Sequence, residues 1–309
     1  MRIVDPRKRT AQNKDTNAVV RGATVLITGA ARGMGELYAH RAVAEGAAAL
    51  MLWDVDGEAL EAVATSLRAV PDAGSPGEAP DPTPAAVGPA IHTAVVDLGD
   101  REAVLTAACG ALERLGTVDI LINNAGIVRG KRFWEHHPEA DIEATLRVNT
   151  LAPMWLTRAL LPAMMSDAER PRRILNIASA AGTLANPGMS VYAASKWAVI
   201  GWSESLRLEL ERDGHRNVAV TTFCPSYVST GMFAGARGPL MTPILTPGQA
   251  VDAAWNGMLR GTPVVMRPWT VKLGATLRAA LPTRAWDVVG GRVFKVFSSM
   301  DRFTGRPGS

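Results

Sequence analysis

Short apolar runs alternate along the chain with longer stretches in which apolar positions recur every three or four residues. The runs are Thr24–Thr28, Ala49–Asp54, Ile91–Asp97, Asp119–Asn123, Arg173–Ser179, Val218–Cys224 and Pro263–Arg267. Their near-continuous apolar character predicts strands buried on both faces, as in a parallel sheet. The intervening segments Glu36–Gly46, Gly57–Val70, Arg101–Leu115, His137–Met165, Met189–Arg212 and Pro247–Leu259 have helical length and amphipathic spacing. Seven strands and six helices in alternation predict an α/β fold, a doubly wound and mostly parallel seven-stranded sheet with helices on both faces. Pro71–Pro89 breaks the pattern: it holds six of the 20 prolines and three glycines, and reads as a loop insertion across 71–90.

Composition narrows the class. In 309 residues, 47% are hydrophobic and 20% charged, which suits one large folded domain and excludes a disordered chain. No apolar run approaches the roughly 18 residues of a spanning helix, and Met1–Asp15 is polar and basic with no hydrophobic stretch of a secretory signal, so the expected location is cytoplasmic. Cys109 and Cys224, far apart and without ligand spacing, are expected to be core thiols and not a disulfide. The adjacent His136 and His137 have no accompanying ligand set, so no metal is expected.

Charge is concentrated at one end. From Val264 onward there are eight Arg and Lys residues against Asp287 and Asp301, an excess larger than the net +4 of the whole chain. The same stretch carries Trp269, Trp286, Phe294, Phe297 and Phe303. The division expected is a basic N-terminal arm over 1–20, a main α/β domain over 21–267 and a basic, amphipathic helical extension over 268–309. The extension either packs on its own subunit with a solvated basic face, or lies on an anionic membrane surface or an acidic partner. No nucleic-acid motif accompanies the charge.

The first strand runs into Thr28-Gly29-Ala30-Ala31-Arg32-Gly33-Met34-Gly35, which opens a helix. In that context Gly29 permits a tight turn, Gly33 lets the backbone approach a pyrophosphate, and Gly35 allows close helix–strand packing. The second strand ends at Asp54, 19 residues beyond Gly35, where a carboxylate can accept both hydroxyls of an adenosine ribose. A 2′-phosphate there would meet a like charge, which favours NAD over NADP, while Arg32 pulls the other way.

The Gly-x-x-x-Gly-x-Gly spacing resembles the short-chain dehydrogenase/reductase family, and later segments match it in order. Asn123-Asn124-Ala125-Gly126 follows the fourth strand, Asn149 lies in the next helix, Ser179 ends the fifth strand, and Tyr192-Ala193-Ala194-Ser195-Lys196 begins 13 residues later. The similarity covers roughly residues 20 to 267. It implies a Rossmann-type fold and nicotinamide-dependent interconversion of alcohols and ketones. It also implies that Asp97 and Leu98 contact adenine, that Asn124, Ala125 and Gly126 line the cofactor, and that Met34 lies in its phosphate loop. The segment from Pro225 to Thr230 falls where the family usually has Pro-Gly. Here Ser226 replaces the glycine, which would be strained if the position needs positive φ; Val228 and Thr230 are the expected carboxamide contacts.

The chemistry is also readable from the residues. Removing an alcohol proton as hydride leaves calls for a base, and a free phenol is too weakly ionised at neutral pH. Lys196, one helical turn after Tyr192, is expected to favour the phenolate. Ser179 would hydrogen-bond the substrate oxygen, and the resemblance gives Lys196 the nicotinamide ribose and Asn149 a water that relays protons. Leu184, Met189, Tyr227, Met232 and Phe233 would form a mostly apolar substrate wall suited to an aryl, steroid-like or long-chain alcohol or ketone. Family habit and the apolar Trp197–Trp202 segment suggest a homodimer or homotetramer. A non-catalytic nucleotide-binding regulator and an NADP-preferring carbonyl reductase are the competing functions.

Overall fold

The computed structural model describes residues 18–69 and 88–305. Most of the expected N-terminal arm and of the 71–90 insertion therefore lies outside the described residues. Seven strands, β1 (Thr24–Thr28), β2 (Ala49–Asp54), β3 (Ala90–Val95), β4 (Ile120–Asn123), β5 (Arg172–Ile177), β6 (Val218–Pro225) and β7 (Val264–Arg267), pair in the order β3-β2-β1-β4-β5-β6-β7. Every pair is parallel. Helices α1 (Gly33–Ala44), α2 (Gly57–Arg68), α3 (Arg101–Leu115), α4 (Ala152–Met165), α5 (Ser190–Arg212) and α6 (Pro247–Leu259) cover the two faces. This is the doubly wound architecture expected, with the order reversing between β1 and β4, where a crevice opens at the strands' carboxyl ends.

Two apolar cores lie on opposite faces. One joins β1 and β2 to α1, α2 and α6 through Ile27, Leu50, Leu60 and Trp255; the other joins Leu26, Trp53 and Leu121 to α3, α4 and α5. Trp255 is fully buried, stacks on Tyr38 at 6.2 Å and donates its indole N–H to Glu45 Oε2 at 2.9 Å. Tyr38 is thus a packing residue. Asp119 ties the strand starts together: it accepts from the Thr24 amide at 2.8 Å and pairs with Arg170 and with the buried Arg172.

A polar ladder holds the strand ends that carry the site. Asn123 Nδ2 donates to Asn176 Oδ1 at 2.8 Å, and Asn176 Nδ2 donates to Ser203 Oγ at 2.9 Å, linking β4 and β5 to α5. All three side chains are buried, where an unpaired amide would be costly.

Two expectations change. Helix α1 starts at Gly33 instead of Glu36, because the glycine loop itself supplies the first turn. Cys224 is buried but Cys109 is exposed: it follows Ala108, which faces the core, and one residue further round α3 points to water. Among the described residues no helix is long and apolar enough to cross a membrane.

The extension beyond β7 forms α7 (Trp269–Ala280), α8 (Thr283–Val288) and a run of short turns. It packs back on its own chain, joined by backbone hydrogen bonds. The Arg237 amide donates to Ser299 at 2.9 Å, Leu240 to Phe294 at 2.9 Å, and Thr304 to Ala234 at 2.9 Å. The loop after β6 and the extension are thus one lid.

Replacing Trp255 with Ala is expected to cost about 3–5 kcal/mol of stability, since a large buried side chain leaves a cavity between α1 and α6. Urea unfolding measures it; a loss under about 1 kcal/mol would show that this contact is not part of the packed core.

Candidate active site

The glycine loop is shaped by what it touches. Gly29 has φ +66, and a Cβ there would lie 2.9 Å from Ala125 Cα and 3.0 Å from Asn124 Nδ2. A Cβ on Gly35 would come 1.9 Å from the Gly29 carbonyl oxygen, so α1 packs directly on the turn. Asn124 Nδ2 donates to the carbonyls of Thr28 and Gly29 at 3.0 Å each, while the Asn124 and Ala125 amides both donate to Thr28 Oγ1 at 3.1 Å. The Asn-Asn-Ala-Gly segment thereby fixes the loop against the end of β4.

No side chain caps α1, whose N-cap is Arg32, and Gly33 has φ +61. An uncapped helix N-terminus with glycines on its approach fits a pyrophosphate, which takes the free amides and gains from the helix dipole. Thr230 stands opposite, its methyl carbon 3.5 Å from where a Gly33 Cβ would be. Val228, buried, bridges to Leu245. Ser226 is not at positive φ, which among non-glycine described residues occurs only at Met241 and Lys295, and its amide donates to Arg267 at 2.8 Å. The missing glycine therefore strains nothing.

The adenosine end is partly occupied by the chain itself. Asp54 Oδ2 accepts from the Ala31 amide at 3.0 Å and Oδ1 from the Asp56 amide at 3.1 Å. The carboxylate is thereby aimed over the glycine loop with acceptor capacity left on each oxygen. Arg32 forms an ion pair with Asp56 and is not held toward an open anion site. Leu98 is buried, and Asp97 is exposed with Oδ1 accepting from the Gly99 amide at 2.8 Å.

Four residues expected to carry catalysis meet beside this crevice. Ser179 follows β5, Tyr192 and Lys196 occupy consecutive turns of α5, and Asn149 lies in a wide π-type turn, Arg147–Leu151, just before α4. All four are buried. Lys196 Nζ donates to the Ile177 carbonyl at 2.8 Å and lies 5.8 Å from the Tyr192 ring centre. A Cβ on Gly126 would stand 3.2 Å from Asn149 Oδ1 and 3.5 Å from Lys196 Nζ, so these three converge.

The electrostatics depart from the simplest expectation. Burial pushes the Tyr192 phenol well above its usual range, and a hydrogen bond with Ser179 opposes this. Burial also lowers Lys196 to about 8. Lys196 Nζ is engaged by the Ile177 carbonyl, and burial is the largest influence on the phenol, which favours a neutral Tyr192 within reach of Ser179. Asn149 accepts from the Ile127 amide at 2.8 Å and donates to the Ile127 carbonyl at 2.9 Å and to Ser195 Oγ at 3.1 Å. Its amide locks the β4 loop to α5.

The pocket beside Ser179, of about 450 Å³, is lined by Leu184, Met189, Tyr227 and Phe233 as expected, and also by Asn186, Ser299 and Val296. Phe233 meets Tyr192 edge-on at 5.7 Å. Met232 packs on the cluster around Tyr192 but is not part of the wall. Tyr227 donates to Ser299 Oγ at 2.8 Å, and Asn186 Nδ2 donates to the same oxygen at 2.8 Å. A second, outer pocket of about 610 Å³ continues past Leu184 to Trp269 and Trp286. Asn186, Ser299 and Val296 carry no signal in the sequence, because they meet only when the extension folds back.

A family model described as short chain dehydrogenase matches residues 23–239. The chain belongs to the short-chain dehydrogenase family. A 281-residue match to estradiol 17-beta-dehydrogenase 11 of Pongo abelii is 33% identical, covering 91% of this chain and 86% of that protein. Retinol dehydrogenase 10-A of Danio rerio is 34% identical over 279 residues, 86% of this chain and 80% of its own. A short-chain dehydrogenase/reductase from Burkholderia phymatum in complex with NAD superposes with a TM-score of 0.71 at 25% identity, covering 84% of this chain and 94% of that one. A short-chain dehydrogenase from Sphingobium yanoikuyae in complex with NADPH gives 0.66 at 29%, covering 84% and 96%. As a short-chain dehydrogenase the protein is an oxidoreductase that uses a nicotinamide cofactor, and the uncapped glycine loop fits one.

Lys196 has a pH signature. Its folded pKa is depressed relative to about 10.4 in an unfolded chain, so from pH 8 upward the unfolded state binds more protons and stability rises. Relative to a Lys196→Met variant, the protein without cofactor is expected to gain about 1 kcal/mol between roughly pH 8 and 9 in denaturant titrations. A constant difference would mean that the Lys196 pKa is not depressed in the folded protein.

Proposed function

We propose that this oxidoreductase interconverts a lipophilic secondary alcohol and its ketone, with NAD preferred over NADP. The observation that carries the reading is the pocket wall: from Ser179 outward it is built largely of Leu184, Met189, Phe233, Val296 and Trp286, and among the described residues no charged side chain lines it to recognise a charged substrate. The named substrates of the similar estradiol and retinol dehydrogenases are lipophilic alcohols, which supports the same class here.

A nicotinamide dinucleotide held on the glycine loop supplies the hydride acceptor, or the hydride in the reverse direction. Ser179 hydrogen-bonds the substrate oxygen. Tyr192, kept neutral by burial, gives its proton to that oxygen as a ketone is reduced and must be deprotonated to accept one as an alcohol is oxidised. Lys196 holds the ribose side of the crevice, and Asn149 keeps α5 and the β4 loop in register. Asp54 repels a 2′-phosphate, and the Asp56–Arg32 pair removes the cation that would offset that repulsion. The exposed stripe of Trp197, Gly201 and Leu208 on α5 supports assembly into a homodimer or homotetramer, which light scattering tests.

Activity is read as absorbance at about 340 nm with NAD or NADP and a panel of lipophilic secondary alcohols and ketones. Alcohol oxidation is expected to climb from about pH 7 to 10 while reduction stays level or falls. Tyr192→Phe should lose at least about a thousandfold in turnover with NADH affinity kept. Full activity in that variant, or a preference for small charged hydroxy acids, would overturn the reading. Asp54→Ala is expected to move the NADP to NAD ratio of kcat/KM by about tenfold to a thousandfold toward NADP; an unchanged ratio would assign selection elsewhere.

A further inference from the structure

The extension roofs the substrate pocket, and its outer surface has features that catalysis does not use. α7 has two unlike sides. Val271 is buried, and a Cβ on Gly274 would lie 3.3 Å from Leu184, so that side packs on the catalytic domain. Trp269, Lys272, Leu273 and Thr276 stand at i, i+3, i+4 and i+7, hence on one stripe, and Trp269, Lys272 and Leu273 open to solvent. Beside them the lid loop presents Leu240 and Met241. Trp269 is 62% exposed and Met241 69%, and Met241 is held there at φ 62. Trp269, Leu273, Leu240 and Met241 together belong to the wall of the outer pocket, so this apolar rim surrounds a cavity mouth. Soluble monomers seldom leave such a contiguous apolar patch open without a partner for it.

The stretch of chain that carries the rim has a large excess of positive charge. Between residues 267 and 302 the chain carries seven cations, Arg267, Lys272, Arg278, Arg284, Arg292, Lys295 and Arg302, against Asp287 and Asp301. Among the described residues none of the seven is paired with a carboxylate. Lys272 lies within the apolar stripe itself. Arg292 and Lys295 flank Phe294, whose carbonyl holds the Leu240 amide, and so lie next to the lid loop.

We propose that this rim docks on an anionic phospholipid bilayer, with Trp269, Leu273, Leu240 and Met241 entering the interface and the cations at headgroup level. An indole and aliphatic side chains among unpaired cations are what such an interface rewards. An acidic protein would satisfy the cations alone, whereas a bilayer satisfies the apolar rim as well. The corollary that substrate enters the pocket from the lipid rests on the lipophilic-substrate reading above; the docking itself does not.

The test is co-sedimentation of the full chain, with NADH bound and no substrate, on vesicles of phosphatidylcholine alone or with about a third phosphatidylglycerol. Binding to anionic vesicles is expected to be at least about tenfold stronger and to weaken with salt. The triple variant Lys272→Glu, Arg292→Glu, Lys295→Glu should lose that preference, and Trp269→Ser with Met241→Ser should weaken binding to both kinds of vesicle. Unchanged thermal unfolding and NADH affinity confirm that both variants are folded. No sedimentation, equal binding to both vesicles, or indifference to both variants would overturn the proposal. So would light scattering that shows self-association abolished by Trp269→Ser, since a second copy would then cover the face. Docking without oxidation of lipophilic alcohols would leave this proposal standing and sink the substrate reading instead.

Discussion

Where β1 turns into α1, the turn runs so close to the segment after β4 that Gly29 has no room for a Cβ, and α1 packs so close on the turn that Gly35 has none either. Asn124 closes the contact from the other side by donating to two successive carbonyls of the turn. This approach sets the crevice at the point where the strand order reverses, and with it the distance between the uncapped start of α1 and the catalytic side chains on α5. Gly126, two residues beyond Asn124, then brings Asn149 and Lys196 into contact range. A glycine loop free to move would leave a fold of the same outline without a defined place for the nicotinamide.

The catalytic group depends on buried polar contacts more than on direct ones. The Asn123–Asn176–Ser203 ladder fixes α5 to the sheet, and Asn149 fixes it to the loop after β4. Each of these side chains is buried, where breaking one of the bonds is expensive, so the ladder favours one register of the elements it joins. That rigidity keeps a phenol raised by burial next to Ser179.

The strands of the sheet and the glycine, Asn-Asn-Ala-Gly, Ser and Tyr/Lys positions are legible because each is written in a short stretch of chain: a buried strand is a run of apolar residues, and a turn without side chains is a set of glycines. Helical spacing makes Lys196 a neighbour of Tyr192, but it does not tell where the ammonium points, and a backbone carbonyl takes it. The place of Asn186 and Ser299 is hidden for another reason. They meet through backbone hydrogen bonds between the lid loop and residues 294–304, and such bonds leave no residue signature. The same pairing decides that the basic extension packs on its own chain, which composition alone leaves open, while keeping its aromatic and cationic stripe outward.

Hydride transfer between the nicotinamide and the substrate carbon beside Ser179 and Tyr192 is the central claim, and isotopic labelling addresses it most directly. A lipophilic secondary alcohol carrying deuterium at its carbinol carbon is turned over with NAD, and the NADH is analysed by mass spectrometry and proton NMR. One deuterium is predicted at C4 of the nicotinamide for each ketone formed, on a single face. NADH without label, or ketone formed without NADH, would contradict it.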